Sequence, residues 1–262
     1  MLERYRRVNE RLNYLYYGRG CESQRQYARL IAPRIARAEV ILDLGAGRSD
    51  LRHRWEEDGR ALDTRGLILA VDIDRERLLH NPNPIRLAAD ARFLPFPDGS
   101  VDLIATQNMF EHLEEPGPVL KEIRRVLKQD GAVVFSTPRK NSYVSFVAAF
   151  TPTVVHRWVT KIRGFDLEKT DCCVTFYRLN SLKMIRREAE KAGLTLDGYT
   201  IHVEDPCYTN FLPPPLHFLF IVLHKLMERT SFTRRLFGIY LVGVLAKVDP
   251  LESKRERGPL RA

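Results

Sequence analysis

The stretch that decides the fold is VILDLGAGRSD, residues 40–50. An apolar run ends at the acidic residue Asp43 and passes directly into the turn Gly45-Ala46-Gly47. Glycine accepts positive φ and lets a ligand come close to the main chain. A buried strand that opens in this way into the start of a helix forms a crevice for a nucleoside-bearing cofactor. The pattern is common, so the elements that follow decide its meaning.

Strand-like and helix-like segments alternate after this turn. Apolar runs predict strands at 67–71, 101–106 and 132–136, and a helix at 119–127. Such alternation predicts an α/β fold with a Rossmann-like, doubly wound sheet that is mostly parallel. The turn-rich segment 94–100 fits a connection into the third strand.

An acidic residue, Asp72, ends the second predicted strand, where a carboxylate can accept hydrogen bonds from ribose hydroxyls. A dinucleotide-binding dehydrogenase is disfavoured, because its fingerprint needs glycine three residues after Gly47 and this chain has Asp50. Each aspartate also has an ordinary structural interpretation. Asp43 can cap a turn, Asp72 or Asp74 can cap a helix, and Asp90 can form an Asx-turn.

Four ordered motifs carry a family resemblance: ILDLGAG at 41–47, AVDID at 70–74, AADARFLPFPDGSVDLIATQNMFEHL at 88–113 and VLKEIRRVLKQDGAVVFSTP at 119–138. In order and spacing they resemble the class I S-adenosylmethionine-dependent methyltransferases, in the branch that acts on small molecules and lipids. The resemblance covers roughly residues 38–138. It implies S-adenosylmethionine as the cofactor and an antiparallel hairpin, near 195–202 and 240–247, that closes the sheet.

The resemblance also implies roles for single residues. The glycine turn and Asp43 would bind the methionine and ribose side of the cofactor, Asp72 the ribose diol, and Asp90 with Ala91 the adenine edge, while Gln107 and Asn108 would lie beside the sulfonium. The implied cofactor-binding residues are Asp43, Gly45, Ala46, Gly47, Asp72, Ile73, Asp90, Ala91, Gln107 and Asn108. The family often has a third glycine where this chain has Ser49, and serine suits a helix start.

The candidate catalytic residues are His112 and Glu111. Methyl transfer from a sulfonium is an in-line displacement, so alignment and desolvation supply much of the catalysis. A base is needed only if the acceptor must lose a proton. His112 suits that task because histidine titrates near neutral pH. Glu111 could orient His112 or act as the base itself, and the pair could instead cap the following helix.

Chain length predicts one methyltransferase domain over 1–262. We expect an N-terminal helical cap at 1–37, a cofactor-binding core at 38–138, a cap insertion at 139–179 and a helix and strand at 180–203. An apolar helical insertion follows at 204–238, then a terminal strand at 239–249 and a basic tail at 250–262. The helical insertions would cap the substrate. In the second of these caps, His156, Arg157 and Tyr177 are candidates for orienting the acceptor.

The helix predicted at 216–229 is apolar except for a narrow stripe of His217, His224 and Glu228. Its composition predicts burial over most of its circumference. Two alternatives stay open, namely dimerisation and a position in a membrane interface with Lys225, Arg229, Arg234 and Arg235 at the polar edge. The histidine spacing does not match the zinc-protease helix.

The formal charge is +9 and is concentrated near the N-terminus, where residues 1–38 hold nine arginines against three glutamates. No interleaved aromatic residues or zinc-ribbon pattern accompany it, which argues against a nucleic-acid partner. The four cysteines lack metal-ligand spacing, so no metal is expected, and reduced thiols fit a cytoplasmic protein, with peripheral membrane contact as an option.

These observations favour methyl transfer to a small, lipophilic acceptor, with O-methylation ahead of C-methylation and N-methylation last. An RNA methyltransferase is one alternative, and a non-catalytic binding protein with a methyltransferase-like cleft is the other.

Overall fold

The computed structural model describes residues 1–18, 21–51, 64–140, 142 and 174–248. The chain divides into two compact units. We call Gln24–Pro138, Thr175–Thr200 and Leu241–Ala262 the sheet unit, and Met1–Ser23, Arg139–Val174 and Ile201–Tyr240 the helical unit. The subdivision predicted from the sequence, with one domain made of caps, a cofactor-binding core, insertions and a tail, stays a prediction.

Seven strands form one mixed sheet in the order β3-β2-β1-β4-β5-β7-β6. The pairs β1/β2, β1/β4, β2/β3 and β4/β5 are parallel, and β7 with β6 forms the antiparallel part. The predicted Rossmann-like, mostly parallel α/β fold is therefore confirmed. The strands are β1 Val40–Leu44, β2 Leu67–Asp72, β3 Arg86–Ala88, β4 Val101–Gln107, β5 Leu127–Pro138, β6 Leu194–His202 and β7 Tyr240–Lys247.

The helices are α1 Leu2–Tyr17, α2 Glu22–Ile35, α3 Arg75–Leu79, α4 Pro116–Val126, α5 Leu182–Lys191, α6 Pro214–Glu228 and α7 Ser231–Phe237. In the sheet unit, α2 buries Tyr27, Ile31 and Ile35 in one apolar cluster with sheet residues that include Ile41 and Val134. Burying this apolar surface is the main favourable contribution to the stability of the unit.

Short polar caps begin two of the helices. Asp74 precedes α3 and accepts hydrogen bonds from the backbone N–H groups of Glu76 and Arg77. Ser181 precedes α5 and accepts from Met184 N–H. One of the ordinary structural interpretations, a helix cap at Asp74, is thus correct.

The helix predicted at 216–229 exists as α6, but its predicted burial is wrong. Only His217, Ile221 and His224 are buried along it. Leucine, valine and phenylalanine side chains on its other faces are exposed. The buried stripe is polar because hydrogen-bond partners of the same unit lie opposite it. Among the described residues, no helix combines the length and the apolarity needed to cross a bilayer.

Candidate cofactor site and active site

The glycine turn after β1 has the backbone conformation that requires glycine. Gly45 and Gly47 have φ of 76° and 53°, in the left-handed region. A Cβ on Gly45 would lie 2.9 Å from the Cβ of Met109, so no side chain fits there. The N–H groups of Gly45 and Ala46 donate to Val71 O at 2.8 and 3.1 Å, which joins this turn to the end of β2. The turn is therefore a close-packed backbone cradle.

Asp72 ends β2 beside this cradle. Its Oδ2 accepts from Gly47 N–H at 2.8 Å, and its Oδ1 accepts from Asp74 N–H at 2.8 Å. The backbone oxygen of Asp72 accepts from Ala89 N–H at 2.9 Å, which brings in the segment that contains Asp90 and Ala91. The side chain is only partly buried and keeps free lone-pair directions, because a carboxylate has about four acceptor positions.

Two buried polar residues are associated with this turn, one preceding it in sequence and one bonded to it. Asp43, in β1 two residues before Gly45, has a fully buried side chain. Asn81 is almost fully buried, and its Nδ2 donates to Gly47 O at 3.0 Å and to Ser49 O at 3.2 Å. Asn81 was not among the predicted site residues, because it lies outside the four motifs and follows the end of α3.

Asp90 forms the Asx-turn that was one of its two interpretations, since its Oδ1 accepts from Arg92 N–H at 2.9 Å. Its carboxylate also pairs with the Arg92 guanidinium at 2.6 Å. The hydrogen bonds and charge of Arg92 hold the pKa of Asp90 below its usual value. The neighbouring candidate Ile73 is 71% exposed and presents a branched apolar side chain beside Asp72 in sequence.

The end of β4 supplies the next group of candidates. Asn108 has φ of 53°, which asparagine tolerates better than most residues, and its N–H donates to Ser136 O at 2.9 Å. Gln107, the last residue of β4, is partly buried. Met109 lies against Gly45. The carboxyl end of β4 thus adjoins the glycine turn, as parallel neighbouring strands require.

A buried hydrogen-bond chain ends on Glu111. Asn180 Nδ2 donates to Thr137 Oγ1 at 2.6 Å, and Thr137 Oγ1 donates to Glu111 Oε2 at 3.1 Å. Burial raises the pKa of Glu111 above its ordinary value, while the charge of the adjacent His112 and the hydrogen bond from Thr137 oppose that shift. Thr137 and Asn180 were missed, since 43 residues separate them and no motif pairs them.

The main chain at Tyr177 is hydrogen-bonded to the backbone of Glu111. The N–H groups of Phe176 and Tyr177 donate to Glu111 O at 2.7 and 3.1 Å. Tyr177 has φ of 52°, a strained conformation for an aromatic residue. Burial, and then the negative charge of Glu111, raise the pKa of Tyr177. His156 and Arg157, the other two acceptor candidates, lie outside the described residues.

The groups at this edge of the sheet fit a nucleoside-bearing cofactor. The cradle has no space for a side chain at Gly45, and the Asp72 carboxylate is bonded to Gly47 N–H at the same turn. His112, partly buried, follows Glu111 in a short 3-10 helix, Phe110–His112. A crevice of this kind can hold a sugar and a base beside a buried acid. The fold and this site are therefore those of an enzyme that uses a nucleoside-bearing cofactor.

Comparison with known proteins names the class more narrowly. Residues 42–135 match a family model described as a methyltransferase domain. This match and the relatives described below support a class I S-adenosylmethionine-dependent methyltransferase, with S-adenosylmethionine as its cofactor. The matched region contains every candidate cofactor residue and both candidate catalytic residues.

Relatives differ in how much of the chain they cover. A malonyl-[acyl-carrier protein] O-methyltransferase of Erwinia pyrifoliae is 27% identical over 212 residues, which are 76% of this chain and 72% of that protein. The enzyme of the same name from a Marinomonas species is 37% identical over 110 residues, 40% of each chain.

Among solved structures, an S-adenosylmethionine-dependent methyltransferase from Mesorhizobium loti superimposes with a TM-score of 0.53. It is 15% identical, and the match covers 85% of this chain and 97% of that one. At this identity the likeness bears on the fold alone.

Proposed function

We propose that this enzyme transfers a methyl group from S-adenosylmethionine to an oxygen atom of a small, lipophilic acceptor. The observation that carries the proposal is the contact of the Asp72 carboxylate with Gly47 N–H, in a turn where Gly45 allows no side chain. O-methylation is favoured over C-methylation because the relatives described above are named O-methyltransferases.

Asp72 would bind the ribose diol through the lone pairs that its two backbone contacts leave free. The glycine turn would bring main-chain atoms against the sugar and the methionine portion, with Asp43 beneath it. Ile73 would pack on the adenine ring, and Asp90 with Ala91 would meet its edge. Gln107 and Asn108 would lie beside the sulfonium, whose methyl group is the group transferred.

Within the catalytic pair, we propose that His112 acts as the base and that Glu111 positions it. Glu111 is buried and bound by Thr137, so its carboxylate is anchored. His112 is only partly buried, so an acceptor can reach it. A hydroxyl acceptor must lose its proton as the new bond forms, whereas a carboxylate acceptor has none to lose.

Calorimetry with S-adenosylhomocysteine, the demethylated product, tests the cofactor assignment. We expect Asp72→Ala to weaken binding at least about tenfold, about 1.4 kcal/mol, because the ribose hydroxyls lose a charged acceptor. Asp74→Asn is the matched control, since asparagine also caps helices and α3 should persist. Equal affinity in Asp72→Ala and the parent protein would mean that the ribose assignment is wrong.

Mass spectrometry of the ligand that copurifies with the enzyme, followed by assays on its chemical class, tests the acceptor. For a hydroxyl acceptor, we expect His112→Gln to lower kcat about a hundredfold, because the base that removes the proton is lost. Glu111→Gln should lower kcat less. A product methylated on carbon would contradict the proposal, and so would a hydroxyl acceptor whose turnover is unchanged in His112→Gln.

A further inference from the structure

Two helices of the helical unit bury polar side chains and expose apolar ones. The buried residues of α1 are Asn9 and Asn13, and those of α6 are His217, Ile221 and His224. The exposed apolar residues of α6 are Leu216, Phe218, Leu219, Val222, Leu223 and Leu226. An ordinary surface helix has the reverse arrangement.

Hydrogen bonds within the unit explain why the polar side faces inward. Asn9 Nδ2 donates to the carbonyl oxygens of Asn210 and Leu212, both at 2.8 Å. His217 bonds Thr209 Oγ1 at 2.7 Å and Asn13 Oδ1 at 3.0 Å. These bonds compensate the desolvation of the buried polar groups, so the inward orientation of the stripe is stable.

His224 is bonded through both ring nitrogens. Its Nδ1–H donates to Glu204 O at 2.9 Å, and its Nε2 lies 2.7 Å from the Tyr208 hydroxyl, from which it therefore accepts. Burial lowers the pKa of both His217 and His224, which fits neutral rings.

The outward side of the unit is an apolar face that we call the outer face. It comprises the six exposed α6 residues above and Tyr16 of α1. The rings of Tyr16 and Phe218 are in contact, with centroids 5.5 Å apart. An exposed apolar patch of this extent on a folded protein marks an interaction surface.

A shallow groove of about 320 Å³ lies in this face. It is lined by Tyr16, Ile221, Val222, Lys225, Leu226 and Arg229. Lys225 lies over the Tyr17 ring, with Nζ 4.1 Å from its centroid. Two cations therefore border an otherwise apolar groove.

Exposed cationic residues lie on the same helices as the outer face and on α7, and α1 also exposes two acids, Glu3 and Glu10. Lys225, Arg229 and Arg235 are exposed on α6 and α7 or between them, and Arg4, Arg7 and Arg11 are exposed on α1. The acid of α6, Glu228, is turned toward its own unit, where Oε2 accepts from Val203 N–H at 2.7 Å and Oε1 lies 3.2 Å from His202 Nδ1. Apolar, aromatic and cationic side chains on one side are the composition of helices that lie in the interface of anionic membranes.

We propose that the outer face binds the surface of an anionic phospholipid bilayer. The 15 residues of α6 extend about 22 Å, less than the about 30 Å of the hydrocarbon core, so the helix lies along the interface. Its leucines and phenylalanine enter the acyl boundary while the cations contact lipid phosphates. This function is independent of the methyl transfer proposed above.

A lipid surface explains the composition better than a second copy of the chain. A two-fold symmetric dimer through this face would place Lys225 and Arg229 of both copies in one interface, with Glu228 turned toward its own unit, so the like charges would lack partners there. RNA would match the cations but would leave the aliphatic residues Leu219, Val222 and Leu226 without a favourable partner. A bilayer matches both kinds of residue.

Vesicle flotation with the full chain tests the proposal. The probes are vesicles of phosphatidylcholine alone and of phosphatidylcholine with phosphatidylglycerol. We expect the protein to float with the anionic vesicles only. The double variant Leu219→Ser/Leu226→Ser should lower the bound fraction at least about tenfold, because the apolar area available to the acyl boundary shrinks. Lys225→Gln/Arg229→Gln should lower it by about fivefold for each charge removed.

Leu79→Ser is the matched control, because Leu79 is similarly exposed but belongs to the sheet unit. It should float like the parent protein, and circular dichroism should show all variants folded. The proposal is wrong if the parent protein stays at the bottom of the gradient. It is also overturned if light scattering shows a lipid-free dimer that Leu219→Ser/Leu226→Ser dissociates, or if the parent protein binds RNA but no vesicle.

Discussion

The two units of this enzyme differ in the kind of side chain that they bury. In the sheet unit, apolar residues such as Ile41, Ile104 and Val134 are completely buried and the strands satisfy one another's backbone groups. In the helical unit, asparagines and histidines are buried and leucines are exposed. The difference shows that a polar interior is stable where most of its polar groups find partners, and that apolar side chains then remain exposed.

The largest effect expected from this comparison is on stability in the sheet unit. Ile104→Ala should lower the free energy of unfolding by about 3 kcal/mol, because it leaves a cavity in a fully buried strand. Leu219→Ala on α6 should change it by less than about 0.5 kcal/mol, since Leu219 is 50% exposed. Urea denaturation measures both. Equal costs would show that the outer face packs like a core.

The second expectation is that, within α6, replacing a buried polar residue by an apolar one costs more stability than replacing an exposed apolar residue by a polar one. His224→Leu should cost about 2 kcal/mol, because Glu204 O and the Tyr208 hydroxyl lose their partner. Leu223→Ser, one position earlier and exposed, should have little effect. Thermal unfolding of the two variants decides the matter. A His224→Leu protein as stable as its parent would show that hydrogen bonding does not hold the polar stripe inward.

A third, smaller effect concerns the glycine turn. Gly45→Ala should weaken S-adenosylhomocysteine binding about tenfold, since its Cβ would displace Met109 beside the cradle. Gly99→Ala is the control, because Gly99 also has positive φ but has open space around its Cα. Both variants should lose about 1 kcal/mol of stability from backbone strain. Weaker cofactor binding in both would indicate general unfolding and not local crowding.

The smallest effect is on the pH dependence of stability. Burial lowers the pKa of His224 in the folded state, against the weaker opposing influence of Glu204 O, Asp205 and Glu228. The unfolded chain then binds more protons below about pH 6.5, so this contribution to stability is complete above that pH and is lost as the pH falls toward the lower folded value.

Melting curves of the parent protein and of His224→Leu between about pH 7.5 and about pH 5.5 isolate this contribution. The parent should lose more of its Tm on acidification than the variant does. The raised pKa of the buried Glu204 carboxyl, in the same unit, acts in the opposite direction in both proteins and cancels in the difference. A steeper loss in the variant would contradict the sign.

Much of the sheet unit could be predicted because its signals are local. A strand ending near Asp43 and strands at 101–106 and 240–247 were expected, and the structure has Val40–Leu44, Val101–Gln107 and Tyr240–Lys247. β3 was missed because its three residues carry no apolar run, and β5 begins five residues earlier than the pattern at 132–136 suggested. Its first residues pair at the start of β4, where the register shifts.

The candidate site also contains residues that local sequence signals predicted and residues that they did not. Asp43, Gly45, Gly47 and Asp72 belong to motifs within a few residues of a strand end, so their types and spacing could be interpreted directly. The chain from Asn180 through Thr137 to Glu111 joins residues far apart in sequence. No periodicity or motif encodes such a contact, and only the folded chain brings the groups together.

The amino-acid sequence alone is enough to predict the α/β sheet and the glycine turn, because strand patterns and tight turns depend on neighbouring residues. It also determined that α6 carries one polar stripe. Which side of that helix faces the interior was decided by tertiary structure, since Asn13 and His217 meet across 204 residues of chain. A helical period defines two faces, and only the hydrogen-bond partners available in the fold select the one that is buried.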